Sequence, residues 1–378
     1  MLKFAVIGYG HRIGGIVDKL VNSGEATLTA VMDVDLDAAR AKAAEKGYEN
    51  VTYYTDAEEM LKAETLDGVL IGTRCTLHTA YALLVAKYNL PLFLEKPVST
   101  TEEDLARLAT ILPTMNEKTV VSFPLRTSAI LLKVKEIVDS GKLGSVEHVQ
   151  AYNNVPYGRG YYHKWYREEK ETGGQWLQKA THDLDYINYL LGGLKPVRIC
   201  AAKSQRVFGG DEPAGKLCAD CDKSKTCLES PYNVKKNGDR YLIGPYCCFA
   251  KDVTIEDSGS CILEYETGMH VVYTQNFVAR NGAGKRGARL IGFKGTLEFD
   301  WVTSKISVFR HQENITEEYR INGAGGSHFG GDQNLVENFI DVMKGIAPSD
   351  APLSEGIFSA KLCLAAKKSS IEHVFVEL

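Results

Sequence analysis

Along the first third of the chain, short aliphatic runs alternate with stretches whose apolar positions recur at helical spacing. Residues 3–7, 27–32, 68–71, 92–94 and 119–122 read as strands. Residues 12–22, 36–46, 77–87 and 102–111 read as helices. A strand buried on both faces is a near-continuous apolar run, whereas a surface helix repeats its apolar positions every 3.6 residues. Alternation of the two at this spacing predicts βαβ units and a parallel sheet, with right-handed crossovers that place helices on both faces.

The rhythm changes after Pro124. A helix over 128–140 leads into a strand over 146–154, an aromatic loop over 157–165 and an apolar helix over 176–191. From Val197 onward strand patterns dominate, at 260–265, 270–277, 288–293, 296–300 and 305–310, separated by turn signals such as Glu266-Thr267-Gly268 and Lys294-Gly295. Helical patterns over 331–344 and 353–372 close the chain. This reads as an α+β region with a mainly antiparallel sheet. The segment 205–257 fits neither period; it is rich in Gly and Lys and holds five cysteines.

Composition narrows the function classes. A chain of 378 residues with 44% hydrophobic and 24% charged residues suits two ordinary domains. A net charge of -4 leaves no basic surplus to neutralise phosphates, so a nucleic-acid partner is not expected. No apolar run approaches the roughly 18 residues of a membrane span. The start, MLKFAVIGYG, runs straight into a strand and lacks the parts of a secretory signal. A cytoplasmic location is therefore expected, with the nine cysteines as thiols or metal ligands rather than disulfides.

Gly8-Tyr9-Gly10-His11-Arg12-Ile13-Gly14-Gly15 follows the first strand and opens a helix. The first glycine permits a tight turn, and the second lets backbone approach a pyrophosphate at a helix N-terminus. The usual third glycine position holds Ile13. Asp33 ends the next strand, where a carboxylate accepts from ribose hydroxyls and repels a 2′-phosphate. That pattern predicts a Rossmann domain using NAD, with NADP disfavoured. Asp33 could alternatively cap the next helix, a role open to Asp35 as well. Further on, Glu95-Lys96-Pro97 lies at the end of a buried strand, on the side of a parallel sheet where ligands bind. A lysine there can orient a hydroxyl and help move a proton.

Taken together, the G-x-G turn, Thr73 and His78 after the fourth strand, Glu95-Lys96-Pro97 after the fifth and Arg126 after the sixth resemble the glucose–fructose oxidoreductase/inositol 2-dehydrogenase (Gfo/Idh/MocA) family. The resemblance continues through Gly173-Gly174, His182-Asp183-Leu184-Asp185 and His328-Phe329-Gly330-Gly331-Asp332. It implies an NAD-binding Rossmann domain, residues 1–124. It also implies a substrate-binding and oligomerisation α/β domain with an open sheet, residues 125–378, containing the 205–257 insertion. A sugar or polyol substrate and a homodimer or homotetramer are implied too. Two departures stand out. Thr73-Arg74-Cys75 replaces the common Thr-Pro-Asn or Thr-Pro-Asp, and Gln178 stands where many relatives carry an aspartate. Lys179-Ala180-Thr181-His182 resembles the Lys-x-Thr-His pattern of one branch.

The cofactor-binding set is accordingly Gly8, Gly10, His11, Arg12, Ile13 and Asp33, joined by Thr73, His78, Glu95 and Lys96. His182 is the expected general base, since imidazole titrates near neutral pH. Lys96 would hydrogen-bond the reacting oxygen, and Lys179, three residues before His182, would share its helix face. A satisfied core histidine and a solvated lysine are the plain alternatives. Arg126, Tyr162 and Trp165 are substrate candidates, aromatic faces being suited to sugar C–H surfaces. Cys218, Cys221, Cys227 and Cys247 have the donor chemistry of a structural zinc site, with an iron–sulfur cluster or reduced, unliganded thiols as the alternatives. The expected activity is hydride transfer between nicotinamide and a hydroxyl carbon. A redox-assisted glycoside-cleaving enzyme with recycled NAD, or a non-enzymatic NAD-sensing regulator on the same fold, remains open at this point.

Overall fold

The apolar run at the N-terminus becomes the middle of a parallel sheet. Phe4, Ala5, Val6 and Ile7 have no exposed surface, as expected of a strand covered on both faces. This computed structural model describes residues 1–238, 243–322 and 327–378. Positions 239–242 of the cysteine-rich insertion lie outside the described residues. The chain divides into two units, Met1–Ala129 with Gly323–Lys361, and Ile130–Asn322 with Leu362–Leu378.

In the first unit, six strands are described: β1 (Leu2–Ile7), β2 (Ala26–Met32), β3 (Thr52–Tyr54), β4 (Gly68–Ile71), β5 (Leu92–Leu94) and β6 (Thr119–Val121). They pair in parallel in the order β3-β2-β1-β4-β5-β6. The order reverses direction at β1, between β2 and β4. A crevice forms at such a switch point beyond the strand C-termini, and Rossmann sheets bind dinucleotides there. Strand β3 and the helix Ala57–Ala63 were not among the elements read from the sequence pattern. They are short, and β3 is only half-buried, so neither leaves a clear period.

The second unit holds a sheet of nine described strands. They are β7 (Val146–Asn154), β8 (Pro196–Ser204), β9 (Ser258–Tyr265), β10 (His270–Asn276), β11 (Lys285–Gly292), β12 (Gly295–Asp300), β13 (Lys305–Arg310), β14 (Thr316–Arg320) and β15 (Val376–Glu377). Their order is β14-β13-β12-β11-β7-β10-β9-β8-β15. Only the β7–β10 pair is parallel. Burial alternates along β9 and β10, so one face is packed while the other carries residues such as half-exposed Ile262.

Two expectations about organisation change. The helix Gly331–Lys344, assigned by sequence to the second domain, packs in the first unit. Its Phe339 ring meets Phe93 of β5 edge-on at 5.7 Å, and Phe339 and Met343 fill the space a side chain at Gly68 would take. Val121 of β6 also donates its N–H to Ala351 O at 2.8 Å. The chain therefore returns to its first unit after the second sheet, and the first break falls at 129/130 rather than 124/125. The single helix expected over 176–191 is instead a π-helical turn, Trp176–Ala180, running into an α-helix, Thr181–Leu191. No described helix is long and apolar enough to cross a membrane.

Candidate active site

The glycine turn is built by close approach. Gly8 has φ +79°, and a Cβ there would sit 2.6 Å from Thr73 Cγ2 and 2.8 Å from Thr73 N. Only glycine fits both the left-handed backbone and the contact. Gly10 is the N-cap of the helix His11–Asn22, with no side chain capping it and no acid in the first turn. The first-turn N–H groups and the positive end of the helix dipole are thus presented to an anion. The packing role of the missing third glycine has moved across the sheet. Ile13 presses on Gly72, where a Cβ would meet Ile13 Cβ at 2.4 Å.

Asp33 reaches back to this turn. Its Oδ2 accepts from Tyr9 N–H at 2.7 Å, and its Oδ1 accepts from Asp35 N–H at 3.1 Å. Asp35, not Asp33, caps the helix Leu36–Glu45, through Ala38 N–H. The capping role therefore falls to Asp35. Lys42 donates to Tyr9 O at 3.1 Å and Gly10 O at 2.8 Å, and its Nζ lies 3.9 Å from the Tyr9 ring centroid. Tyr9, Gly10, His11, Asp33, Asp35 and Lys42 line a groove of about 370 Å³. A glycine at position 8 that tolerates no Cβ, an open helix N-terminus and a carboxylate at the end of β2 fit an NAD pyrophosphate and adenosine ribose.

Arg12 does something the sequence did not show. Its guanidinium bridges Glu95 (Nε to Oε1, 3.0 Å) and Asp332 (2.7 and 3.0 Å), and donates to Ser122 Oγ at 3.0 Å. His328 Nδ1 lies 3.1 Å from Asp332 Oδ2. Burial alone would raise the Asp332 carboxyl; the His328 bond and the Arg12 charge instead hold it well below the ordinary carboxylate range. The late His-x-Gly-x-Asp segment therefore secures the residue beside Lys96, with Arg12 as the clamp. His78, expected to bind cofactor, is buried with Nδ1 2.8 Å from Pro97 O and Nε2 3.2 Å from Thr73 O. It braces the Thr73 loop against the Glu95-Lys96-Pro97 turn. Burial lowers its affinity for a proton, so at neutral pH only one of those contacts carries a hydrogen.

In the second unit, Gly173 and Gly174 adopt φ +80° and +95° and turn the chain into the π-helical segment. Buried Glu256 accepts from Trp176 N–H at 3.0 Å there. Lys179 and His182, each 3% exposed, follow. The Lys179 ammonium donates to the Tyr157 hydroxyl and lies 4.7 Å from the Tyr157 ring centroid. Burial lowers the Lys179 pKa, the like charge of Arg286 adds to this, and Asp183 opposes it; the net value is about 7. Asp183, fully buried beside His182, accepts from Arg286 Nε at 2.8 Å, Asn153 Nδ2 at 2.8 Å and Tyr273 OH at 2.9 Å. The Asp183 network and Tyr157 were missed by sequence reasoning because their partners come from distant strands and loops.

Some expected site residues prove structural. Tyr162 has no exposed surface, stacks on Phe208 at 3.9 Å and donates to Glu256 O at 2.8 Å, so it is core rather than a substrate wall. Arg126 is 4% exposed and donates to Glu355 at 3.1 Å and Asp350 O at 3.2 Å, which engages its charge inside the first unit. Trp165 is half-buried and stacks on Tyr166 at 3.9 Å.

Comparison with known proteins decides the family. A model described as an oxidoreductase family with an NAD-binding Rossmann fold matches residues 2–123, and a Gfo/Idh/MocA C-terminal domain model matches residues 131–298. The chain belongs to the Gfo/Idh/MocA family. It is 27% identical over 319 residues to the Bacillus subtilis (strain 168) protein named as an oxidoreductase, YteT, covering 74% of this chain and 73% of that one. It is 27% identical over 194 residues to Thermotoga maritima myo-inositol 2-dehydrogenase, covering 50% and 55% of the two chains. The match to that curated relative thus spans only about half its length. Among solved structures, levoglucosan dehydrogenase with NADH and levoglucosan superposes with TM-score 0.78 at 15% identity, over 100% of this chain and 99% of that one. Lactobacillus plantarum myo-inositol 2-dehydrogenase gives 0.74 at 18%, over 100% and 99%. These likenesses establish the fold. As a Gfo/Idh/MocA protein the chain has an NAD-binding Rossmann domain.

Proposed function

We propose that this protein is an NAD-dependent dehydrogenase acting on a CH–OH group of a sugar, polyol or glycoside. The observation that carries the reading is buried Lys179, bonded to Tyr157 and three residues ahead of buried His182 in the chain. A lysine that titrates near neutrality, bonded to a phenol, suits a hydroxyl proton better than it suits architecture. The inositol and levoglucosan dehydrogenases among its relatives support the substrate class.

In this reading the first unit holds the dinucleotide. Gly8 and Gly10 admit the pyrophosphate to the helix N-terminus, and Asp33 accepts from the ribose hydroxyls. NAD, when bound, supplies the nicotinamide that accepts the hydride. Lys96 hydrogen-bonds the reacting oxygen and stabilises developing alkoxide. The second unit supplies His182 as the proton acceptor, and Lys179 with Tyr157, in place of the family's usual aspartate, binds a substrate hydroxyl and can take up a proton as well. A metal on the cysteine-rich segment has no step here, because the nicotinamide already takes the electrons.

The test is to follow reduced-nicotinamide absorbance while a panel of polyols, sugars and glycosides is added to protein with NAD. At least one should give net NADH. Glycoside cleavage without net NADH would replace this reading with redox-assisted cleavage. Tight NAD binding with neither product would leave a sensing role. The same panel with NADP should run more slowly, and equal rates would remove Asp33 from the ribose site.

A further inference from the structure

The described residues of 211–246 fold almost without a core. Among the described residues of that stretch, Val234 is the only buried apolar side chain, while Leu228 and Tyr232 are 75% and 52% exposed. Regular structure among the described residues there amounts to a single 3-10 turn, Cys218–Asp220, and one six-residue helix, Pro231–Lys236. A stretch this poor in apolar burial needs another source of order.

The backbone gathers four cysteines in it. Leu217 and Tyr246 form an antiparallel bridge. Beside it Cys218 N–H donates to Pro245 O, and Cys247 N–H donates to Lys216 O, both at 2.8 Å. Cys218 and Cys247 are thereby held on the two sides of one isolated bridge. A tight turn returns Cys221 N–H to Cys218 O at 3.4 Å, and Ser224 N–H to Cys221 O at 3.1 Å. Cys227 N–H closes on Lys223 O at 2.8 Å, and Asn233 Nδ2 clamps the carbonyls of Lys225 and Cys227 at 2.9 Å each. The thiols of Cys221, Cys227 and Cys247 all lie close enough to act electrostatically on Cys218. The Lys216 ammonium lies against Cys221 and is bonded to Glu212. Backbone bonds that organise the loops around four neighbouring cysteines are the arrangement of a thiolate metal knuckle.

We propose that Cys218, Cys221, Cys227 and Cys247 bind one thiophilic divalent cation, Zn²⁺, as the structural staple of this segment. Binding deprotonates the four thiols, and their protons pass to solvent. Lys216 then offsets part of the net negative charge of a four-thiolate zinc centre. No three of these sulfurs lie within 4.8 Å of one another. The edge of a Zn–S₄ tetrahedron is about 3.8 Å, from Zn–S bonds of about 2.3 Å. Cys218, Cys221 and Cys227 are only partly buried, so their side chains have room to turn inward.

A tighter donor group lies nearby, His163, Glu229 and Cys248, with ligand atoms within 4.8 Å of one another. Its surroundings oppose a dication. Arg159 and Arg280 each stand 3.6 Å from Glu229, and burial together with the charges of Arg159, Arg167 and Arg280 drives His163 down to about 4. Cys248 is buried in the apolar cluster with Tyr162, Phe208 and Phe277. The proposal is independent of the hydride-transfer reading.

Full-length protein should be purified without added metal and assayed for zinc and iron. One zinc per chain is expected, released when a mercurial titrates four thiols of the wild type. Replacing zinc with cobalt should give tetrahedral ligand-field bands and a charge-transfer intensity matching four thiolates. Cys218→Ser with Cys221→Ser should abolish the stoichiometric metal, and Cys248→Ala should keep it. Metal-free wild type, iron with sulfide, a one-thiolate cobalt spectrum, or zinc lost only in Cys248→Ala would each overturn the assignment. The wild-type measurements stand even where the serine variant fails to fold.

Discussion

Arg12 in the first unit and Lys179 in the second are both helix-borne cations, and their neighbours give them opposite characters. Arg12 lies between two carboxylates, Glu95 and Asp332, with Ser122 accepting a further bond. Its charge is matched, and it drives Asp332 toward permanent ionisation. Lys179 donates to a neutral phenol. The carboxylate on its side, Asp183, is already engaged by Arg286, Asn153 and Tyr273. Burial therefore dominates and brings Lys179 to about 7. The difference teaches that a guanidinium, always charged and matched here by two carboxylates, serves architecture, whereas a deeply buried ammonium facing a neutral phenol can exchange a proton at neutral pH.

The contrast breaks down unless function and stability respond to different residues. Lys96→Ala and His182→Ala should each lower the hydride-transfer rate by roughly 10²–10⁴-fold, the usual contribution of a proton-transfer group, with NAD affinity nearly intact. Stopped-flow NADH formation together with NAD titration measures both. Turnover like the wild type in either variant would remove that residue from the chemistry.

Arg12→Ala should show the reverse emphasis. It leaves two buried carboxylates, Glu95 and Asp332, without their shared counter-ion. Removing one partner of a buried ion pair costs about 3 kcal/mol or more. Denaturant unfolding should register that loss in the first unit without any substrate present. Stability equal to the wild type would mean that the clamp is dispensable, and the comparison with Lys179 would lose its structural half.

What could be read in the sequence tracks how local each interaction is. The Gly8–Gly10 turn, Asp33 and the strand runs around them were legible because each depends on neighbours in one βαβ unit. The Arg12–Asp332 pair spans 320 positions, and no periodicity encodes it. The aromatic loop was recognisable as chemically rich, but which ring faces outward was not. Tyr162 turned into the core, and Tyr157, five residues earlier, met Lys179. The apolar period over 176–191 marked a helix but could not reveal the π-turn that holds Gln178 and Lys179 inside. The cysteine spacing was plain, whereas the bridge that brings Cys247 to Cys218 depends on the Leu217–Tyr246 pairing.

The smallest expected effect is the sharpest test of Lys179. A pKa of about 7 makes the amine mostly neutral above neutrality and mostly charged below it. If the neutral amine accepts a proton through Tyr157, the rate should climb through pH 7 and fall about tenfold from its plateau by pH 6. Lys179→Met keeps much of the stem and removes the titrating group, so that limb should vanish from the pH profile. Stability gives an independent sign. The folded pKa lies below the ordinary 10.5, so between about 7 and 10.5 the unfolded chain binds the extra proton. Stability contributed by this group therefore rises with pH across that window and is lowest below it. The methionine variant should lack that rise. A pH profile, Michaelis constant and stability slope all unchanged would place Lys179 outside the reaction and leave His182 as the second unit's sole proton acceptor.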